Sequence, residues 1–325
     1  MNVDRRGLVL GSLVSLICLW LAFKDIRWQG FVDALGATDY PLLALAVGIF
    51  VATNLLKAAR WRLLFAPRHV RLGPLFSALM IGQMVNALLP ARLGELARAY
   101  LMGERERQSK GLALGTIALE KLIELIVLLV LFLGLVPFLA LPVWLYQPGI
   151  TLALITAALC LAALVLAYRR QAVLSMWNRL LGGLPALARP AFLQEAEAAL
   201  QSLDILRRPR LILSIWGWSV LIWSLAIATN YVVFLAMGLS LSMLVAAFLL
   251  VVLQIGIAVP SSPGKVGVFH YLTVLALSVF GAQKDVALSY AVVLHLVIYV
   301  PVIVLGVFYL WRENLTLTHV LRNRV

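Results

Sequence analysis

The stretch Gly82–Tyr100, GQMVNALLPARLGELARAY, places Gln83, Asn86, Arg92, Glu95 and Arg98 around Pro90 in an otherwise apolar neighbourhood. Arg92, Glu95 and Arg98 follow one another at i, i+3 and i+6, so a helix resuming after Pro90 would bring them near one face. An arginine fork matches two phosphate oxygens at once, and a helix N-terminus adds a partial positive charge of its own. Phosphate capture is the chemistry this pattern suits. The plainer alternative is a basic cluster that sets membrane topology, with Glu95 as its local counter-ion.

A second group is Glu120, Lys121 and Glu124, inside a hydrophobic run that begins near Leu112. At helical rise Glu120 lies roughly 12 Å and Glu124 roughly 18 Å into that run, one turn apart on a single face. Ionisable groups at such depth are costly and face a cavity or a partner, so a functional role is the default reading and a buried ion pair the alternative. A third group is the turn VPSSPGKVGVFH, where Ser261, Ser262, Gly264 and Lys265 could offer amides to an anionic headgroup. His270 is close enough to that turn to share the role. His270 and His295 are otherwise isolated in sequence, and no metal-ligand spacing occurs, so neither a metal nor another cofactor is expected. Gln83, Asn86 and Gln254 can join helix to helix or line a path, and Asn54 and Lys57 fit either role. No nucleotide-binding loop and no nucleophile elbow is present. The Glu120–Glu124 pair leaves open an embedded acid–base enzyme, but no reaction is specified.

These residues must be positioned by membrane helices. Of the 325 residues 63% are hydrophobic and 13% charged, and mean hydropathy is +1.00, values that exclude an ordinary soluble domain. The net charge of +13 would suggest nucleic acid in a soluble protein. Here the basic residues flank apolar runs, where they set topology and attract anionic headgroups, so nucleic-acid binding is not expected. Cys18 and Cys160 each lie inside an apolar run and imply neither a disulfide nor a metal site. The N-terminal stretch reads as a retained first span, because no small-residue cleavage site precedes Lys24.

Span one is expected near Gly7–Phe23 and span two at Pro41 to about Leu56, followed by a basic inside loop holding Lys57, Arg60, Arg62, Arg68 and Arg71. The piece Pro74–Leu89 has basic residues on both sides, which predicts a re-entrant hairpin broken near Pro90 and returning from Arg92 to Met102. Span three is Leu112–Leu133, followed by a charge-free turn to Pro148. Span four is Gly149–Ala167, and span five is Leu211–Met237. A second broken pair covers 241–280, and the last span is Val286–Leu310. In the basic loop 168–210, Phe192–Leu206 reads as an amphipathic helix with Phe192, Ala196, Leu200 and Leu203 on one face.

The fold class is thus an all-α polytopic membrane protein with about six full spans and two broken helical hairpins, forming a single transmembrane domain over 1–325. Segments 41–133 and 211–310 run span, broken hairpin, span from opposite sides, an inverted repeat with Pro90 and Pro260 lying 170 residues apart. Residue identity between the halves is negligible, so the repeat rests on hydropathy and spacing. Paired interruptions in two halves are the sequence pointer to a transporter's binding site.

With those residues in view, the chain resembles the flippase-like family of the lysylphosphatidylglycerol synthase transmembrane region, from about Pro41 to Leu310. The carriers are KAARWRLLF (57–65), NALLPARLGELARAYLM (86–102), EKLIELIVLL (120–129) and VPSSPGKVGVFHY (259–271). Arg92, Gly94, Glu95 and Arg98 match that family's R-x-GE-x-x-R, and Glu120 matches the glutamate of its E-R-x-x-D. Lys121 and Glu124 stand where Arg and Asp are usual, Lys265 where Gly is common and His270 where Glu is common. The last two departures favour an anionic ligand over a lysyl one.

The resemblance implies a polytopic inner-membrane protein that moves a lipid headgroup between leaflets, the family's lipids being aminoacylated phosphatidylglycerol, glycolipids and isoprenoid-linked lipids. With the sequence ending at Val325, the soluble aminoacyl-transferase domain is expected to be absent, so the chain is expected to move a lipid, not make one. The expectation is a non-enzymatic flippase of the bacterial cytoplasmic membrane with both termini inside, and the ligand is a lipid with an anionic or phosphate headgroup. A homo-oligomer and an envelope-lipid synthase partner are further expectations. In this reading Arg92 and Arg98 bind phosphate, Glu120 and Glu124 balance charge or relay a proton, and the 260–265 turn gates the outer side. The alternatives are an embedded transferase on a lipid-linked substrate and a non-catalytic subunit of an envelope-lipid assembly.

Overall fold

The computed structural model describes residues 5–24, 26–89, 93–169, 171, 173, 175–176, 188–256 and 262–315, and all regular structure among them is helical. The chain runs through α1 (Arg5–Phe23), α2 (Trp28–Gly36), α3 (Tyr40–Leu64), α4 (Leu72–Leu88), α5 (Gly94–Glu106) and α6 (Lys110–Leu135). It continues through α7 (Val143–Tyr168), α8 (Ala188–Gln201), α9 (Pro209–Ala236), α10 (Met243–Gly256), α11 (Val268–Ser278) and α12 (Lys284–Arg312).

Four of these helices, α3, α7, α9 and α12, are long and apolar enough to cross a membrane. α7 is apolar on all sides, and residues such as Leu154 and Leu161 point outward with most of their surface exposed. An all-round apolar helix of 26 residues is a lipid-facing span. α6 is also 26 residues long but holds Glu120, Lys121 and Glu124 in its middle. By contrast α4, α5, α10 and α11 have 17, 13, 14 and 11 residues. At 1.5 Å per residue none of the four reaches the roughly 30 Å of a bilayer core. Each expected break thus falls between two separate short helices, α4 ending at Leu88 and α5 starting at Gly94, α10 ending at Gly256 and α11 starting at Val268.

Several boundaries differ from the sequence expectation. α3 continues two turns beyond Leu56, so Lys57, Arg60 and Arg62 are helical and only Arg68 and Arg71 belong to the loop. The reason is local: Asp39 caps the start by accepting from the Leu42 N–H at 3.1 Å, Pro41 sits in the first turn, and no Gly or Pro follows Gly48 until Pro67. The segment expected as the loop Lys24–Tyr40 contains a short helix, α2, packed on α12. α7 starts at Val143 and carries Pro148 inside it, so the expected turn is shorter.

The amphipathic segment is also redrawn: α8 ends at Gln201 and a 3₁₀ turn, Ser202–Arg207, finishes it. It lies on α6 with Ala196, Leu200 and Ile205 buried, whereas Phe192 is exposed and does not share that face. Glu195 accepts from the Ser109 hydroxyl and the Gly111 N–H, each at 2.5 Å. A carboxylate at the α6 N-terminus satisfies amides that the helix itself leaves free.

The helices assemble with α3 packed most extensively along α9, α4 against α5 and α12, α10 against α9, α11 and α6, and α1 against α11. The 3₁₀ turn Pro263–Lys265 of the second break rests on α4. The ends of the two broken pairs therefore meet at the centre of the molecule.

Candidate headgroup site

A cavity of about 320 Å³ lies where the two breaks converge. α3, α4, α5 and α6 line one side, and α9, α10, α11 and α12 the other. The volume is at the low end for a small-molecule site, large enough for a headgroup and too small for a whole lipid.

The charged wall is built on Arg60, which the sequence reading assigned to a loop. Its side chain is 0% exposed, and one guanidinium nitrogen lies 3.3 Å from Glu124 and 3.6 Å from Glu120. Its other terminal nitrogen donates to the Ser219 hydroxyl of α9 at 3.1 Å. Glu120 and Glu124 do share a face, one turn apart, because a single guanidinium reaches both. Glu120 also takes a 2.5 Å bond from Arg98, and Glu124 one of 3.0 Å from Lys121. Arg98 in turn lies 3.9 Å from the Trp61 ring centroid, and the Trp61 indole donates to the Thr116 hydroxyl at 3.1 Å. Burying a carboxylate in such surroundings without these partners would cost several kcal/mol. The Nε atoms of Arg60 and Arg98 are buried without an acceptor.

Lys57 lies beside this network, its charge acting on Glu124 without a hydrogen bond. It lines the cavity one turn before Arg60 and forms no hydrogen bond or ion pair among the described residues. The lining holds four cations (Lys57, Arg98, Lys121 and Lys265) against three carboxylates (Glu95, Glu120 and Glu124), and the buried Arg60 stands directly behind them. The site is electropositive, with Lys57 its least committed charge.

The first break is closed by Asn86. Its amide oxygen accepts from the Gly94 N–H at 2.7 Å, and its amide nitrogen donates to Glu95 at 3.2 Å. The side chain thus ties the end of α4 to the start of α5 and satisfies a free helix N-terminal amide. Position 94 admits only glycine, since a Cβ there would stand 1.9 Å from the Gly82 carbonyl oxygen. Gln83 donates to Asn54 at 2.8 Å, fastening α4 to α3. Of the residues expected at this break, Arg92 lies outside the described residues, as does Pro90; Asn86, Glu95 and Arg98 all line the cavity.

At the second break Ser261 is likewise outside the described residues. The Ser262 N–H donates to the Ser15 hydroxyl of α1 at 2.7 Å, and the Ser262 hydroxyl donates to the Val266 carbonyl. Gly264 adopts φ +70°, and its carbonyl accepts from His295 at 2.8 Å. Lys265 reaches the cavity lining, whereas Ser262, Gly264 and His270 do not. The two histidines expected to be isolated are neighbours, their rings 5.1 Å apart, and His295 stacks on Tyr299 at 4.1 Å. Nδ1 of His270 is buried without a hydrogen-bond partner.

A family model for the lysylphosphatidylglycerol synthase transmembrane region matches residues 8–306, nearly the whole chain. The chain belongs to this family. It is 25% identical over 323 residues to a UPF0104 membrane protein of Methanothermobacter thermautotrophicus, covering 94% of this chain and 95% of that one. A UPF0104 membrane protein of Methanocaldococcus jannaschii is 24% identical over 242 residues, 71% of this chain and 95% of the relative. A 128-residue stretch is 29% identical to part of the glycosyltransferase AglD of Haloferax volcanii, covering 38% of this chain and 20% of AglD. No solved structure gives a significant match. Membership of the synthase-region family, together with the apolar helices, makes this a multi-pass membrane protein.

Proposed function

We propose that this protein is a lipid transporter that moves a phosphate-bearing lipid between the leaflets of a prokaryotic cytoplasmic membrane, holding the headgroup in the central cavity. The observation that carries the reading is Lys57, a cation that makes no hydrogen bond or close ion pair among the described residues and lines a headgroup-sized, electropositive cavity. An unpaired cation at that depth is costly unless a ligand or water meets it, and a phosphate oxygen is its natural partner. Arg98 and Arg60 share their charge with Glu120 and Glu124 and orient the site, while Arg92 at the first break supplies a further cation. The two glutamates set the net charge and could carry a proton.

In this reading α4–α5 and α10–α11 are re-entrant pairs, and α1, α3, α6, α7, α9 and α12 are six full spans. Segments 41–133 and 211–310 form an inverted repeat. The packing supports that symmetry: α3 on α9 is a self-matched pair, and α4 on α12 becomes α10 on α6 when the halves are exchanged. Both termini lie on the basic, cytoplasmic side. The full-length relatives are archaeal, which extends the proposal beyond bacteria. Similarity to a stretch of a glycosyltransferase favours sugar-bearing lipids among the substrates and keeps an embedded transferase as the second reading.

The test is transport in proteoliposomes carrying fluorescent phosphatidylglycerol, read by quencher access from outside. Wild type should speed equilibration between leaflets, and Lys57→Gln and Arg92→Ala should each slow it by about tenfold, the worth of one lost charge-assisted contact. Wild type no faster than empty liposomes, or both variants at the wild-type rate, would sink the proposal. Conversion of the supplied lipid to a new species would select the transferase.

A further inference from the structure

The two walls of the cavity differ in kind. The α3–α6 side contributes six charged side chains to the lining; the helices α9, α10, α11 and α12 contribute none, Lys265 belonging to the turn between them. What those helices present is uncharged hydrogen-bonding capacity on aromatic surface. Gln254 is exposed on an otherwise apolar α10, and its amide makes no hydrogen bond among the described residues. Trp223 and Tyr299 also line the cavity; the indole N–H and the hydroxyl make no hydrogen bond among the described residues, and neither is sealed in the interior. Trp223 and Asn230 are seven residues apart on α9 and so share one face.

A bare amide in an apolar membrane helix is costly unless something bonds it. An aromatic face beside amide and hydroxyl groups suits a ring with apolar C–H surfaces and several hydroxyls. It does not suit an ammonium group, for which no carboxylate is available on this wall. On the opposite wall Glu120 and Glu124 are held by Arg60, Arg98 and Lys121, and Glu95, which accepts from the Asn86 amide, is the one lining carboxylate with no cation on it among the described residues. Resting on the proposal that the cationic wall takes a phosphate, we infer that the neutral wall is a sugar subsite. The ligand class is then a lipid whose phosphate is esterified to an uncharged glycosyl group, with Gln254, Trp223 and Tyr299 on the sugar.

The experiment uses the full chain in nanodiscs and three probes with the same octyl tail: octyl phosphate, octyl phosphate esterified to glucose, and octyl phosphate esterified to lysyl-glycerol. Calorimetric titration of wild type should show the glucosyl probe binding about tenfold tighter than octyl phosphate, the margin expected for one or two added hydrogen bonds. Gln254→Leu and Trp223→Phe should each shrink that margin, and Lys57→Gln should weaken the octyl phosphate and glucosyl probes together. A margin that survives both neutral-wall variants, an absent margin, or a lysyl probe that binds tightest overturns the sugar subsite and leaves the phosphate site standing. No binding of octyl phosphate at all overturns the phosphate reading and this inference with it.

Discussion

The triplet Ala52-Thr53-Asn54 of α3 recurs as Ala228-Thr229-Asn230 of α9, bonded alike and flanked by different chemistry. Each threonine hydroxyl donates to the carbonyl four residues back, at 2.7 and 2.9 Å, and each asparagine amide does the same, at 3.0 and 2.9 Å. Three and six residues on, α3 carries Lys57 and Arg60, whereas α9 carries the buried Val233 and Ala236. The broken pairs differ in the same direction. Pro90 is followed four and five residues later by Gly94 and Glu95, and Pro260 by Gly264 and Lys265. Asn54 is bonded by Gln83, while the corresponding Gln254 leaves Asn230 to Tyr290, whose hydroxyl donates to the Asn230 carbonyl at 3.0 Å. The two segments share these hydrogen bonds and differ in the charge that follows them. The first half lines the cavity with ions, the helices of the second with neutral groups.

The largest expected effect comes from removing the ionic half's anchor. Arg60→Met leaves the buried Glu120 to Arg98 alone and the half-buried Glu124 to Lys121 alone, and should cost about 3–5 kcal/mol of stability, read as a lowered melting temperature in detergent. Melting like wild type would mean that the network is not what holds α3, α6 and α9 together. The breaks provide the next contrast. Gly94→Ala forces atoms into the Gly82 carbonyl and should cost about 3 kcal/mol. Gly264→Ala meets only van der Waals contacts and bears the left-handed backbone penalty alone, about 1–2 kcal/mol. Equal costs would show that the two turns are held by the same constraint.

The smallest effect separates the twin asparagines. Asn54→Ala should destabilise more than Asn230→Ala by about 0.6 kcal/mol, the typical worth of an interhelical hydrogen bond in a membrane protein, because only Asn54 holds a side chain of the broken pair. An Asn54→Ala, Gln83→Ala double variant should cost no more than the sum of the singles less that coupling, which a double-mutant cycle measures. A coupling near zero would remove Gln83 as the fastening between α3 and α4.

Much of the site could be read from residue types. Glu120 and Glu124 announced themselves by depth and spacing, and Asn86, Glu95 and Arg98 by their place around Pro90; all five line the cavity. Lys57 was left open to either role and Arg60 was assigned to a loop, because positive charge at the end of an apolar run ordinarily marks a loop. The available signal was the lack of any Gly or Pro between Gly48 and Pro67, which lets α3 run on until Arg60 is buried. The pairing of His270 with His295 had no local signal at all, since 25 residues and the turn into α12 separate them.

By itself the sequence determined that the chain is a helical membrane protein, with carboxylates and arginines at a depth where they need partners. Composition and periodicity suffice for that, because a bilayer admits few alternatives to the helix and penalises every unpaired charge. Which charges pair, and which is left over, only the tertiary structure decided. Pairing depends on α3, α5 and α6 meeting within about 4 Å, a long-range packing outcome that local spacing does not encode. That packing commits Arg60 and Arg98 to the glutamates and leaves Lys57 facing the cavity.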